Sequence, residues 1–227
     1  VYNGDGQFLF QFGGKGSGEG QLYNPHGICT DRAGNIIVAD SLNSRVEMFD
    51  KKGKFLKHIT TEVKAPCGIA MAPQGHLVVT DEGENTVILV FRPDGTLVRT
   101  VGQQQGMKHP WYITVDVEGN ILVSDYDGHC VYMYNEDGQF LFQFGGEGSG
   151  EGQLKGPRGI CTDRAGNIIV ADWGNRRVEM FDKTGKFLKH INIATDVKVP
   201  QAVAMATQGQ LVVTDYEKHT VSIFQNF

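Results

Sequence analysis

The sequence predicts an all-β protein, a β-propeller built from short four-stranded blades. Three observations lead there. Residues 12–59 return almost unchanged as residues 144–191, with only eight differences in 48 aligned positions, and self-similarity at a fixed period marks a repeat architecture. Asp40, Asp81, Asp125, Asp172 and Asp215 each close an apolar run, at spacings of 41, 44, 47 and 43 residues, which is the period of a propeller blade. Thirty glycines, only seven prolines and many short runs of Val, Ile, Leu and Phe between Gly, Asn and Asp turns favour strands over helices.

Taken in order, each unit reads P-x-G-I-x-x-D as strand a, G-N-I-I-V-A-D as strand b, R-V-E-M-F-D as strand c and G-K-F-L-K-H-I as strand d. The units span about 12–59, 59–101, 101–144, 144–191 and 191–227, in one domain covering 1–227. The fifth unit stops after strand c. The N-terminal segment 7–12, QFLFQF, repeats the strand d of residues 139–144. It is therefore expected to complete the last blade and close a five-bladed ring, because a split blade hides the strand edges that radial repetition would leave bare. The units follow the order A, B, C, A, B with a fragment of C in front, so a fragment of a six-bladed ring is the alternative.

The length and a 40% hydrophobic content suffice for a large core. A net charge of −5 gives no global positive field toward nucleic acid or anionic lipid. No apolar run is long enough to span a membrane and no secretory leader pattern is present. Cys29, Cys67, Cys130 and Cys161 stand singly, without C-x-x-C spacing, which reads as reduced thiols in a cytoplasmic protein. The five repeated aspartates read as turn-closing carboxylates, since a catalytic or metal site needs groups that converge.

The motifs FGGEGSGEGQL, GPRGICTDRAGNIIVADWGNRRVEMFD and GKFLKHI resemble the NHL-repeat family, and most of all the C-terminal NHL domain of tripartite-motif (TRIM) proteins. The match is strongest in units one and four. The resemblance implies a propeller that serves as the recognition end of a ubiquitin ligase, with the RING, B-box and coiled coil lying outside this sequence. It also implies binding of proteins, and in some members RNA, across the face made by the b–c and d–a loops. Family propellers usually carry six blades, from which this sequence departs.

Alternating strands place the b–c and d–a loops on one face, here the top. Seven of the eight differences fall there: Lys15/Glu147, Tyr23/Lys155, Asn24/Gly156, His26/Arg158, Ser41/Trp173, Leu42/Gly174 and Ser44/Arg176. Only Lys52/Thr184 falls on the bottom, although the bottom loops are equally loop-like. This asymmetry points to a partner-facing top surface, against simple loop drift. The candidate binding residues are His26, Trp111, Tyr112, Tyr126, Lys155, Arg158, Trp173, Arg176, Tyr216 and Lys218. Aromatic and Arg side chains dominate interface energetics, while the competing role for the tryptophans is inter-blade filling.

The leading functional expectation is a non-enzymatic module that holds a protein partner or ubiquitination substrate. RNA recognition is the alternative, with Lys155, Arg158, Arg176 and Lys218 on phosphates and Tyr126, Trp173 or Tyr216 stacking on bases. Glu82, Glu84, Glu147 and Glu151 on the same face oppose it. No DNA, membrane or small-molecule substrate, and no metal or cofactor, is expected. His58 and His190 lie in strand d, away from the channel, and no hydrolase or zinc motif is present. The glycine-rich loops 13–21 and 145–153 lead into strands, not helices, so they are read as long flexible crossings, not phosphate cradles.

Overall fold

Strand b begins with an apolar run in every unit, and it is buried along its whole length in blades one to four and in part in blade five. In the computed structural model, which describes residues 1–83, 87–191, 197–225 and 227, blade one contains β1 (Pro25–Thr30), β2 (Ile36–Asp40), β3 (Arg45–Phe49) and β4 (Phe55–Thr60). Blade two contains β5 (Pro66–Met71), β6 (Leu77–Asp81), β7 (Val87–Phe91) and β8 (Leu97–Val101). Blade three contains β9 (Pro110–Val115), β10 (Ile121–Asp125), β11 (Cys130–Tyr134) and β12 (Phe140–Gly145). Blade four contains β13 (Pro157–Thr162), β14 (Ile168–Asp172), β15 (Arg177–Phe181) and β16 (Phe187–Ile191), and blade five contains β17 (Pro200–Met205), β18 (Leu211–Asp215) and β19 (Thr220–Phe224).

The protein is an all-β, five-bladed β-propeller. Strands pair antiparallel in chain order within each sheet. The innermost strands pack in succession, β1 on β5, β5 on β9, β9 on β13 and β13 on β17. Turns from all five blades, at Asp31, Ala72, Asp116, Asp163 and Ala206, surround one bottom opening of about 400 Å³. The glycine of P-x-G-I is what allows the blades to approach so closely. A Cβ at Gly27 would collide with the Cys67 carbonyl, and one at Gly159 with the Ala202 backbone.

Local chemistry explains why the bottom loops hardly differ between copies. Asp31 accepts the N–H groups of Ala33 and Asn35, and Asp163 those of Ala165 and Asn167, at 2.8–2.9 Å. Asp50 and Asp182 do the same in the c–d turns. Each carboxylate templates its own turn, so a change there would cost backbone hydrogen bonds.

Closure departs from the expectation. The fifth sheet has three strands, and segment 7–12 does not pair with β19; its neighbours are Val1 and Tyr2, through the Tyr2–Phe8 bridge and the Leu9 N–H to the Val1 carbonyl. Phe12 packs on Phe49 at 4.8 Å, the same contact Phe144 makes with Phe181 at 4.7 Å. QFLFQF is the strand that precedes an A-type unit, and its ring fits the phenylalanines of that unit. The edge of β19 is B-type, and in blade two that edge is paired by a different sequence, β8. In the duplicated unit β12 makes both contacts, pairing with β11 and packing Phe144 on Phe181; segment 7–12 makes only the second. The seam is correspondingly open: β1 and β17 make no contact comparable to the other inner strands, and Ile28 and Val221 are 61% and 63% exposed.

The glycine-rich crossings are tied down, contrary to the flexible reading. Arg45 donates to the carbonyls of Ser17, Gly18 and Gln21 and to Asp40, and Arg177 repeats this with Ser149, Gly150, Gln153 and Asp172, all at 2.7–2.9 Å. Each arginine also pairs with a fully buried glutamate, Glu47 at 3.1 Å and Glu179 at 2.9 Å. Burial pushes the Glu179 carboxyl up to about 7, against the pull of Arg177, and Glu47 shifts the same way for the same reason.

Two outcomes are expected. Arg177→Ala strands two buried carboxylates and unties the loop, so urea denaturation should show a loss of about 3 kcal/mol, whereas exposed Lys183→Ala should change stability by less than about 0.5 kcal/mol. Because the fold raises the Glu179 pKa, its contribution to stability is complete below the ordinary glutamate range and is lost as pH rises through about 7. The melting temperature of the parent should therefore fall between about pH 4.5 and 7, and Glu179→Gln should flatten that slope; an unchanged slope would refute the assignment.

Candidate functional site

Each strand-b aspartate reaches across its blade and holds the crossing that delivers strand a. Asp40 accepts the Tyr23 N–H at 2.6 Å, Asp125 those of Lys108 and His109 at 2.8 Å, and Asp172 that of Lys155 at 2.7 Å. Asp81 and Asp215 bind the same segment of their blades. The expected closing of the following turn is seen at Asp81, Asp125 and Asp215, whereas Asp40 and Asp172 take side-chain amides there, from Asn43 and Asn175; the contact common to all five is with the preceding crossing. Their effect is to fix the b–c and d–a loops as one top surface.

On that surface, blades three and four build an aromatic box. The Arg158 guanidinium lies 4.5 Å from the Trp111 ring, 4.5 Å from the Trp173 ring and 5.1 Å from the Tyr126 ring. Tyr126 meets Trp111 edge-on at 5.4 Å and Trp173 at 5.8 Å. Arg158 also donates to Gln201 of blade five, whose amide lies 3.5 Å from the Tyr112 hydroxyl. His26 of blade one accepts the Trp111 Nε1–H at 3.2 Å. Partial burial lowers the His26 pKa, with Glu82 opposing that shift, which favours the unprotonated nitrogen this bond requires.

Six of the ten sequence candidates thus converge: His26, Trp111, Tyr112, Tyr126, Arg158 and Trp173. The tryptophans fill inter-blade space and still present part of their surface, so both competing roles meet in them. Four candidates stand outside the box. Lys155 and Arg176 are exposed on blade four, Arg176 in a left-handed conformation with φ 57°. Tyr216, 64% exposed, and Lys218 lie in the β18–β19 loop. Four differences between the copies act together here. His26/Arg158 and Ser41/Trp173 supply the cation and one wall, Gly174 sits where a Cβ would strike Lys155, and Gly156 leaves room for Tyr126. Asn24/Gly156 and Ser44/Arg176 also share positive φ, so those swaps keep the backbone course.

His109 is part of the site and was absent from the sequence candidates. Its ring stacks on Trp111 at 5.0 Å with planes 6° apart, and it pairs with Glu82 at 2.6 Å and Asp127 at 3.2 Å. The signal was available in the run HPWY, since the residue before the strand-a proline is held by the aspartate. Glu82 is thereby paired locally, and Glu84 lies outside the described residues. Among the described residues no three His, Cys, Asp or Glu side chains are placed to hold a metal, and no helix is long and apolar enough to cross a membrane. The four cysteines are unpaired; burial pushes Cys29 and Cys161 up to about 12, which keeps them as thiols.

Comparison with known proteins agrees with this geometry. The NHL repeat family matches residues 22–49, 154–181 and 198–224, the segments that contain strands b and c of blades one, four and five. The chain carries NHL repeats in these segments and resembles the TRIM NHL domains. Over 142 residues it is 30% identical to the protein brain tumor of Drosophila melanogaster, covering 60% of this chain and 14% of that protein. It is also 30% identical over 147 residues to the human E3 ubiquitin-protein ligase TRIM32, covering 57% of this chain and 22% of that protein. The NHL-repeat chain thus spans a minor part of the length of these relatives. A crystal structure of catalytically inactive virginiamycin B lyase from Staphylococcus aureus superposes with a TM-score of 0.73 at 16% identity, covering 98% of this chain and 75% of that one, a likeness of fold alone.

Both tryptophans of the chain sit in the box, so selectively excited tryptophan fluorescence reports on it alone. Arg158→Ala should shift tryptophan emission to longer wavelength as the rings gain water, and should cost about 1–2 kcal/mol on denaturation. Unchanged emission would mean that the stacking does not persist in solution.

Proposed function

We propose that this NHL-repeat propeller is a non-enzymatic recognition module that holds a protein partner on its top face. The observation that carries the reading is the rigid set of Trp111, Tyr126 and Trp173 around Arg158, flanked by the exposed side chains of Lys155, Arg176, Tyr216 and Lys218. Large rings already fixed in place lose little conformational entropy on binding, which is the property of interface anchors. The TRIM32 likeness extends the proposal: within a longer ligase the partner would be a substrate, and ligation itself would belong to segments outside this propeller. Unpaired cysteines fit a reducing, cytoplasmic setting.

RNA is the second reading. What favours it is the exposed Tyr216 ring with Lys218 in the same loop, and Arg176 and Lys155 on the neighbouring blade, a stacking platform with cations beside it. Arg158 contributes little to it, being enclosed by rings and bound to Gln201. The net charge of −5 also weakens phosphate binding.

The test compares the parent with a Trp173→Ala, Arg176→Glu, Tyr216→Ala variant and with a bottom-face control, Lys52→Glu. Partners are recovered by cross-linking from cell lysate and then titrated individually by calorimetry. The triple variant should bind at least about tenfold more weakly, a loss of about 1.4 kcal/mol, while the control should match the parent. Equal affinities would overturn the top-face reading. Retention of a randomised RNA pool at low salt by the parent, lost in the triple variant, would replace protein with RNA as the ligand.

A further inference from the structure

The duplication also supplies an internal comparison on the opposite face. Between blades one and two, near the bottom, an apolar groove of about 270 Å³ is walled by Ile37, Met48, Ile59, Met71 and Leu77, with Arg92 and Pro93 at its rim. The same walls recur between blades four and five as Ile169, Met180, Ile191, Met205 and Leu211. There the protein packs its own Phe227 against the hydrophobic cluster to which these residues belong. Lys189 donates to the Phe227 carbonyl at 2.8 Å. Its counterpart in the first copy, Lys57, reaches only the Pro93 carbonyl, at 3.3 Å. The strand register that aligns Phe91 with Phe224 puts Asp94 where Phe227 stands. Asp94 is exposed, so the first groove receives no aromatic ring from that position.

We propose that the groove between blades one and two is a binding site for a phenylalanine side chain of an extended peptide, with the peptide carbonyl taken by Lys57. Size and chemistry fit. A dry apolar cavity of about 150 Å³ is enough to hold benzene, and the two methionines offer adaptable, polarisable walls that favour aromatic rings. The duplicated junction shows the ring and carbonyl arrangement that such a peptide would copy. This site is separate from the top face and stands or falls independently of it.

The test uses the full chain labelled with ¹³C at the methionine methyl groups. Its six methionines give two reporters in the groove (Met48, Met71), two in the filled copy (Met180, Met205) and two elsewhere (Met107, Met133). The probe is N-acetyl-phenylalanine amide, whose size sets an expected Kd of about 1 mM. Saturable shifts are expected at Met48 and Met71 alone in the parent, and additionally at Met180 and Met205 in Phe227→Ala, where the second groove is emptied. N-acetyl-alanine amide should move none of them. Silence of either pair, equal shifts with the alanine probe, or shifts spread over all six methyls would overturn the proposal.

Discussion

The structure depends on one contact made five times: the carboxylate at the end of strand b accepting backbone N–H groups from the crossing that enters its own blade. Strand b is the buried centre of each sheet, so its end is the most rigid point available to each top loop. Asp40, Asp81, Asp125, Asp172 and Asp215 use that point to fix where strand a begins. In the two A-type blades the contact is extended by Arg45 and Arg177, which neutralise the aspartate and gather three loop carbonyls each. A charged group buried at this position is tolerated because it is paired with an opposite charge and hydrogen-bonded through both carboxylate oxygens and all three guanidinium nitrogens. The buried glutamates beneath the arginines are the less satisfied members of the network, which is why their carboxyls are shifted upward.

With the loops held this way, a repeat can diverge at its tips without losing its frame. Blade four differs from blade one by a few side chains, and those side chains make the Arg158 box together with Trp111 and Tyr126 from blade three. The bottom turns lack that freedom, because their Asp and Gly residues are the turn itself. Where the two copies differ on the bottom, Lys52/Thr184, the Asp50 and Asp182 turns are the same. Variation on the top and constancy on the bottom thus have a structural cause in the turns, and a functional one only where the varied side chains meet. They meet at the junction of blades three and four.

Much of the architecture was legible because it is local and repeated. The strand-b runs, the aspartate spacing and the turn residues gave the blade and its four strands, and alternation of the loops gave the two faces. His26, Trp111, Tyr112, Tyr126, Arg158 and Trp173 were legible as a group since the repeat register places them at equivalent loop positions. That Arg158 is enclosed by the rings, not projected outward, depends on distances between blades, which no single unit encodes. His109 was missed although its place before the strand-a proline marks it: it stacks on Trp111 and pairs with Asp127 within blade three, and only its contact with Glu82 crosses from blade two.

The sequence by itself determined the blade and the surface on which the copies diverge, since these follow from period, turn chemistry and strand alternation; it favoured five blades over a six-bladed fragment, and the structure shows five sheets. The tertiary structure alone decided closure. QFLFQF repeats a strand that elsewhere both pairs with the strand before it and packs on the blade after it, as β12 does with β11 and Phe181, and here only the second contact forms. Phe12 fits against Phe49 as Phe144 fits against Phe181, while β19 keeps no fourth strand beside it. Strand pairing follows a pattern readable in one dimension, whereas complementarity between two packed surfaces exists only once both are folded.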